Sequence, residues 1–122
     1  MTNNEFKPAA IKPVITFSEF EKIDIRAGTI IAVEDVSGSE KLLRLVVDFG
    51  DHRRNILAGM KQEREDAQAI VGKQALFVVN LAPRKMLGEL SEGMLFDIGF
   101  ADGVQPALAM PEFAVPNGTR AG

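Results

Sequence analysis

Apolar residues in this chain come in short blocks of five to ten, broken by glycine, proline and charged residues, and few blocks repeat at helical spacing. The run IDIRAGTIIAVEDV, residues 23–36, is rich in Ile and Val with Gly28 inside it, which predicts a long strand bent at the glycine. LLRLVVDFG (42–50) and RNILAGM (54–60) are two further strands that pair as a hairpin across the intervening DHR. KQEREDAQAIVGK (61–73) turns from polar to apolar and ends at a glycine, the pattern of a short helix with Gly72 beyond its C-terminus. QALFVVN (74–80) and GMLFDIGF (93–100) supply two more strands. Ahead of them all, Thr16 and Glu19 stand in capping-box spacing and predict one helical turn over 18–21. VQPALAM and then PEFAVPNGTRAG close the chain, with a turn signal at Asn117–Gly118.

Three strands, a short helix and two strands is the order of an all-β OB-fold, a five-stranded Greek-key barrel, and other small barrels fit the same string. At 122 residues the chain is expected to form one such domain, residues 17–122, preceded by an N-terminal extension over 1–16. The apolar tail residues Val104, Leu108, Met110, Phe113 and Val115 exceed what a five-stranded barrel needs for its own core. Together with the N-terminal extension they predict a homodimer interface.

Composition removes several function classes. There is no cysteine and a single histidine, His52, so neither a thiolate nucleophile nor a Cys/His metal cage can be assembled, and no metal or cofactor is expected. His52 sits in the tip GDHRR, where turn chemistry explains it better than catalysis, and no phosphate-cradling GxxxxGK[ST] follows a strand. The reading is therefore a binding protein, not an enzyme. No apolar run approaches the ~20 residues that a membrane-spanning helix needs. Without an export signal at its start, the chain is expected to be cytoplasmic, and the glycosylation-like triplet Asn117–Gly118–Thr119 is then without consequence.

The net charge of -3 conceals an uneven distribution. Residues 1–40 hold four cations against seven acids, residues 41–88 nine against five, and residues 89–122 one against five. Between Asp66 and Glu89 there is no acid at all, while Lys73, Arg84 and Lys85 lie there. The sharpest feature of that stretch is NLAPRKMLGELSEGM (80–94), where a strand ends at Asn80 and a stiffening Pro83 leads directly into Arg84 and Lys85. Two cations in a loop are ordinarily solvated surface, but in an acid-free setting they also suit phosphate groups.

FEKIDIRAGTI (20–30), SEKLLRLVVDFG (39–50), GKQALFVVNLAPRKMLGELSEGM (72–94) and VPNGTRAG (115–122), taken together and in order, resemble the tRNA-binding domain family. That family includes the C-terminal domain of bacterial methionyl-tRNA synthetases, free-standing dimeric tRNA-binding proteins and the export-associated chaperone CsaA; the closing PNGTRAG is similar to the CsaA branch. The resemblance implies an OB-fold homodimer that docks on the outside of folded tRNA, or alternatively a CsaA-like chaperone that binds apolar segments of unfolded or export-precursor polypeptides. With no Trp, no Tyr and Phe mostly inside apolar runs, base stacking on aromatic side chains is poorly supplied, and recognition by shape and phosphate contact is expected instead.

On this reading Arg84 and Lys85 contact phosphate. Asn80 either donates to a phosphate or ribose or satisfies backbone at the end of its strand. Ser91 either orients the loop or touches RNA. Lys41 and Arg44 lie beside the loop if the barrel closes, or else serve as a charged edge against aggregation.

Overall fold

The computed structural model describes residues 6–122. Residues 1–5 of the expected N-terminal extension lie outside the described residues. The first element is a single helical turn, α1 (Phe17–Phe20), and its capping box is formed: the Glu19 N–H donates to Thr16 Oγ1 at 3.1 Å and the Thr16 N–H to Glu19 Oε1 at 3.1 Å.

Strand β1 (Ile25–Asp35) is the axis of the fold. Its first half pairs with β4 (Gln74–Val78) and its second half with β2 (Leu43–Asp48), with a register shift between Ile30 and Ala32. Thr29 is paired with both partners, and Gly28 precedes it opposite Ala75 of β4. A Cβ there would stand 2.6 Å from Val47 Cγ1 and 2.9 Å from the Phe49 ring, so only glycine lets the barrel wall close this tightly. β2 pairs in turn with β3 (Arg53–Ala58), and β4 with β7 (Met94–Leu95). The neighbour order β3-β2-β1-β4-β7 curls into an antiparallel half-barrel, the OB-like architecture expected from the order of apolar runs. Its open side is bridged where the Glu92 N–H donates to the Asn55 carbonyl at 2.9 Å. Alternate residues of the strands point inward, and Ile30, Leu45, Val47, Phe49, Ile56, Met60, Ile70 and Phe77 form the buried core.

Three expectations change. The helix expected over 61–73 contracts to a 3-10 turn at Ala67–Ile70, capped by Asp66, although Gly72 does end it at φ 91°. Residues 61–66 contain no apolar side chain, so a helix through them would have no face to bury. The strand expected over 93–100 divides: β7 stays with the barrel, while β8 (Asp97–Ile98) forms a separate ribbon with β9 (Ala107–Leu108). The stretch leaving β4, expected as a loop, contains a hairpin of β5 (Arg84–Met86) and β6 (Glu89–Ser91).

The tail is also more engaged than its composition suggests. Leu108 packs against the barrel core, so it belongs partly to this chain's own interior, whereas Met110 and Phe113 remain exposed. Gln74 Nε2 donates to the Val115 carbonyl at 2.6 Å, Thr29 Oγ1 to Asn117 Oδ1 at 2.7 Å, and β10 (Arg120–Ala121) pairs with the start of β1.

Candidate nucleic-acid interface

The hairpin of β5 and β6 carries the two cations singled out by the sequence. Arg84 faces Ser91 across the ribbon, Lys85 faces Leu90, and Met86 faces Glu89. Cross-strand partners share a face and neighbours along a strand alternate, so Arg84 and Lys85 project from opposite faces. Lys85 and Leu90 are both exposed and form the outward face; Ser91 is buried and Glu89 half-buried on the face turned to the barrel. Arg84, on that second face at the root of the ribbon, is nonetheless exposed.

The inward face is braced at three points. Ser91, only 4 % exposed, accepts from the Leu57 N–H at 2.9 Å and donates to the Gly93 carbonyl at 3.1 Å. Glu89 is paired with Arg44, whose Nε also reaches Glu34 Oε1 at 2.9 Å. The hydrogen bonds that Arg44 donates to Glu34 and then to Glu89 raise its pKa above the ordinary value. Arg54 closes the root: its Nη1 donates to the Val79 carbonyl at 2.6 Å and the Glu92 carbonyl at 3.0 Å, the two residues that flank the 80–91 excursion. The same guanidinium donates through Nε to His52 Nε2 at 3.0 Å and lies over the Phe49 ring, 5.9 Å from its centroid.

Asn80 anchors the other side. Its Oδ1 accepts from the Asp24 N–H at 2.9 Å and its Nδ2 donates to the Lys22 carbonyl at 2.6 Å. Asp24 is in turn held by Arg26 at 2.6 Å, and that hydrogen bond keeps its carboxyl below the usual range.

The six residues expected at the site thus divide. Arg84, Lys85 and Lys41 are exposed and, among the described residues, have no acid within ion-pair distance. Asn80, Ser91 and Arg44 lie beside the hairpin but have their polar atoms engaged within the fold, the backbone-satisfying and loop-orienting alternatives. Arg44 does stand next to the loop as expected, yet between two carboxylates it offers no free positive charge.

Sequence reasoning missed two groups. Arg54 was hidden because its work is long-range, and RR after a turn reads as a solvated tip. Arg53 and Asn55 are exposed on β3, the strand bridged to residue 92 beside the Arg84 end of the hairpin; the alternation of the RRN triplet carried that signal. Arg53 also lacks an acidic partner among the described residues. Chemically, the surface can neutralise an anionic backbone through separated cations on a rigid support, and among the described residues no group of three metal-ligating side chains converges.

Comparison with known proteins agrees with this chemistry. Residues 25–120 match the sequence family described as "Putative tRNA binding domain". The MetRS-related protein from Pyrococcus horikoshii superposes with a TM-score of 0.83 at 31% identity, covering 91% of this chain and 100% of that one. The chaperone CsaA from Bacillus anthracis gives 0.77 at 27% identity over 90% of this chain and 100% of that one. CsaA from Picrophilus torridus gives 0.77 at 28% identity over 89% and 100%.

Proposed function

Because this chain belongs to the tRNA-binding domain family, we propose that it binds folded tRNA by shape and phosphate contact, using the β5–β6 hairpin as its principal grip. The observation that carries this reading is the pair Arg84 and Lys85, exposed and, among the described residues, without acidic partners, on a ribbon braced by Ser91, Arg44 and Arg54. Lys41 and Arg53 extend the positive surface toward β2 and β3, while Asn80, Ser91 and Arg44 hold the hairpin in place. The protein acts by binding and needs no cofactor, and its setting is the cytoplasm. In a competition assay, tRNA is expected to displace labelled tRNA at far lower concentration than single-stranded RNA of equal length, and different tRNAs are expected to compete alike. Equal competition by the single strand would overturn the reading.

The working unit on this proposal is a homodimer. Ile11 is 98 % exposed and Val14 97 %, and Phe17, Met110 and Phe113 also show much of their surface to solvent. That is a large apolar display for a chain of this size, and a second copy would cover it. Light scattering at micromolar concentration is expected to give the mass of two chains; the mass of one would contradict the dimer.

A second reading, binding of polypeptide segments, is favoured by the groove beside the C-terminal residues, where Phe17, Phe20 and Ile23 stand among Glu21, Lys22 and Arg26. The two CsaA likenesses point the same way. Suppression of client aggregation would then depend on that groove and survive loss of the hairpin cations.

A further inference from the structure

The tip of the β5–β6 hairpin is built against the preferences of its own turn. Leu87 has φ 49° and Gly88 φ 80°, the left-handed pair required by a two-residue hairpin turn. Glycine, asparagine and aspartate suit the first of these positions, and a bulky leucine does not. Among the described residues Leu87 is the one non-glycine with positive φ. It gains no burial in return, being 61 % exposed, and Leu90 beside it on the outward face is 50 % exposed. The tip is not loose, because the adjacent Glu89 is tied to Arg44 and Ser91 to Leu57. A disfavoured, exposed and firmly presented leucine points to a contact made outside the chain.

The surroundings select the partner. Lys85 shares the outward face with Leu90, Arg84 stands at the other end of the same strand, and the acid of the ribbon next to the tip, Glu89, is drawn toward the barrel by its ion pair with Arg44. An apolar tip with Lys85 on its outward face and Arg84 at the root of the same strand is complementary to a surface that offers a flat apolar face among phosphates, which in a folded RNA is a base left uncovered where a stack ends. The chain has no Trp or Tyr for such a face, Phe49 and Phe77 are committed to the core, and the exposed Phe17, Phe100 and Phe113 belong to segments other than the hairpin.

We infer that Leu87, supported by Leu90, packs on an uncovered base at a turn or stack end of the bound RNA, so that the hairpin reads RNA folding through an apolar contact as well as phosphate positions through its cations. This rests on the RNA-binding reading above. It explains why a folded RNA would be preferred over a regular duplex, whose phosphates are equally available but whose bases are covered.

The test uses Leu87→Asn, which suits the left-handed turn, and Leu87→Met, which keeps an apolar tip. Affinities are measured for tRNA and for a long poly(rA)·poly(rU) duplex, whose uncovered end pairs are a negligible share of its binding sites, at several salt concentrations, with thermal unfolding of each variant alongside. Leu87→Asn is expected to unfold at the same or a higher temperature than wild type. It should nonetheless bind tRNA about ten-fold more weakly, with an unchanged salt slope because no counterion-releasing contact is lost. Duplex binding should be unaffected, and Leu87→Met should retain tRNA affinity. Wild-type affinity for tRNA in the Leu87→Asn protein, or an equal loss on duplex, would overturn the inference while leaving RNA binding intact. Loss of aggregation suppression with unchanged tRNA affinity would reassign the tip to polypeptide and overturn it too. Failure of wild type to bind tRNA at all would instead refute the functional reading beneath it.

Discussion

Replacing Arg84 and Lys85 together by alanine is expected to weaken tRNA binding about 30-fold at ~0.1 M salt, since each lost phosphate contact removes roughly 0.7 to 0.9 from the slope of log K against log salt. The fold should survive. Both side chains are exposed and neither makes an intramolecular ion pair among the described residues, so stability should change by no more than about 0.5 kcal/mol. Because the two project from opposite faces of the ribbon, they would meet different phosphates, and the single substitutions should each contribute and add in free energy. The loss should be uniform across tRNAs, as phosphate contacts carry no sequence information. Filter binding or fluorescence anisotropy on the two singles and the double, with circular dichroism as the folding control, checks all of this. A double variant with wild-type affinity would place the RNA surface elsewhere.

Arg54→Ala is expected to be the opposite kind of change, costing stability first and binding as a consequence. The guanidinium spans the root of the hairpin by donating to the carbonyls of Val79 and Glu92, and it covers Phe49. Hydrogen bonds from a charged donor contribute about 1.5 to 3 kcal/mol each, and their loss leaves two carbonyls poorly served, so a cost of about 3 kcal/mol follows. For a domain of this size that lowers the unfolding temperature by roughly 10 °C. Lysine should not rescue it, because one ammonium cannot span both carbonyls, the His52 ring nitrogen and the Phe49 face in the way the planar fork does. Thermal unfolding of Arg54→Ala and Arg54→Lys checks the claim, and a loss below about 1 kcal/mol in the alanine variant would show that the hairpin root is held by other means.

The barrel was legible because its strands are dense in Ile, Val and Leu and are separated by turn residues. Gly28 lies within β1 as expected, although the irregularity of that strand falls between Ile30 and Ala32, and Gly72 ends the 3-10 turn as the sequence suggests. The Thr16–Glu19 box was legible because both partners lie within one turn of each other. What failed depended on distant partners. The polar segment 61–66 reads as the start of a helix by propensity, but nothing apolar in it gives the barrel a face to hold. The β5–β6 hairpin consists of two three-residue strands rich in charge around Leu87–Gly88, a pair that does not announce a turn, and it is stabilised by Arg44, Leu57 and Arg54 from other strands. Arg84 and Lys85 could be picked out from an acid-free stretch and a family resemblance. The roles of Asn80, Ser91 and Arg44 could not, because a side chain that binds RNA and one that braces a loop look alike until their hydrogen-bond partners are known.

The most direct test is a salt titration of tRNA binding by the wild-type protein and by the Arg84→Ala/Lys85→Ala variant, in parallel and at equal protein concentration. The expected result is a steep linear fall of log K with log salt for wild type, and a slope shallower by about 1.5 for the variant, corresponding to two phosphate contacts. Parallel lines of equal slope, or wild-type binding that does not respond to salt, would contradict a grip on the phosphate backbone by this hairpin.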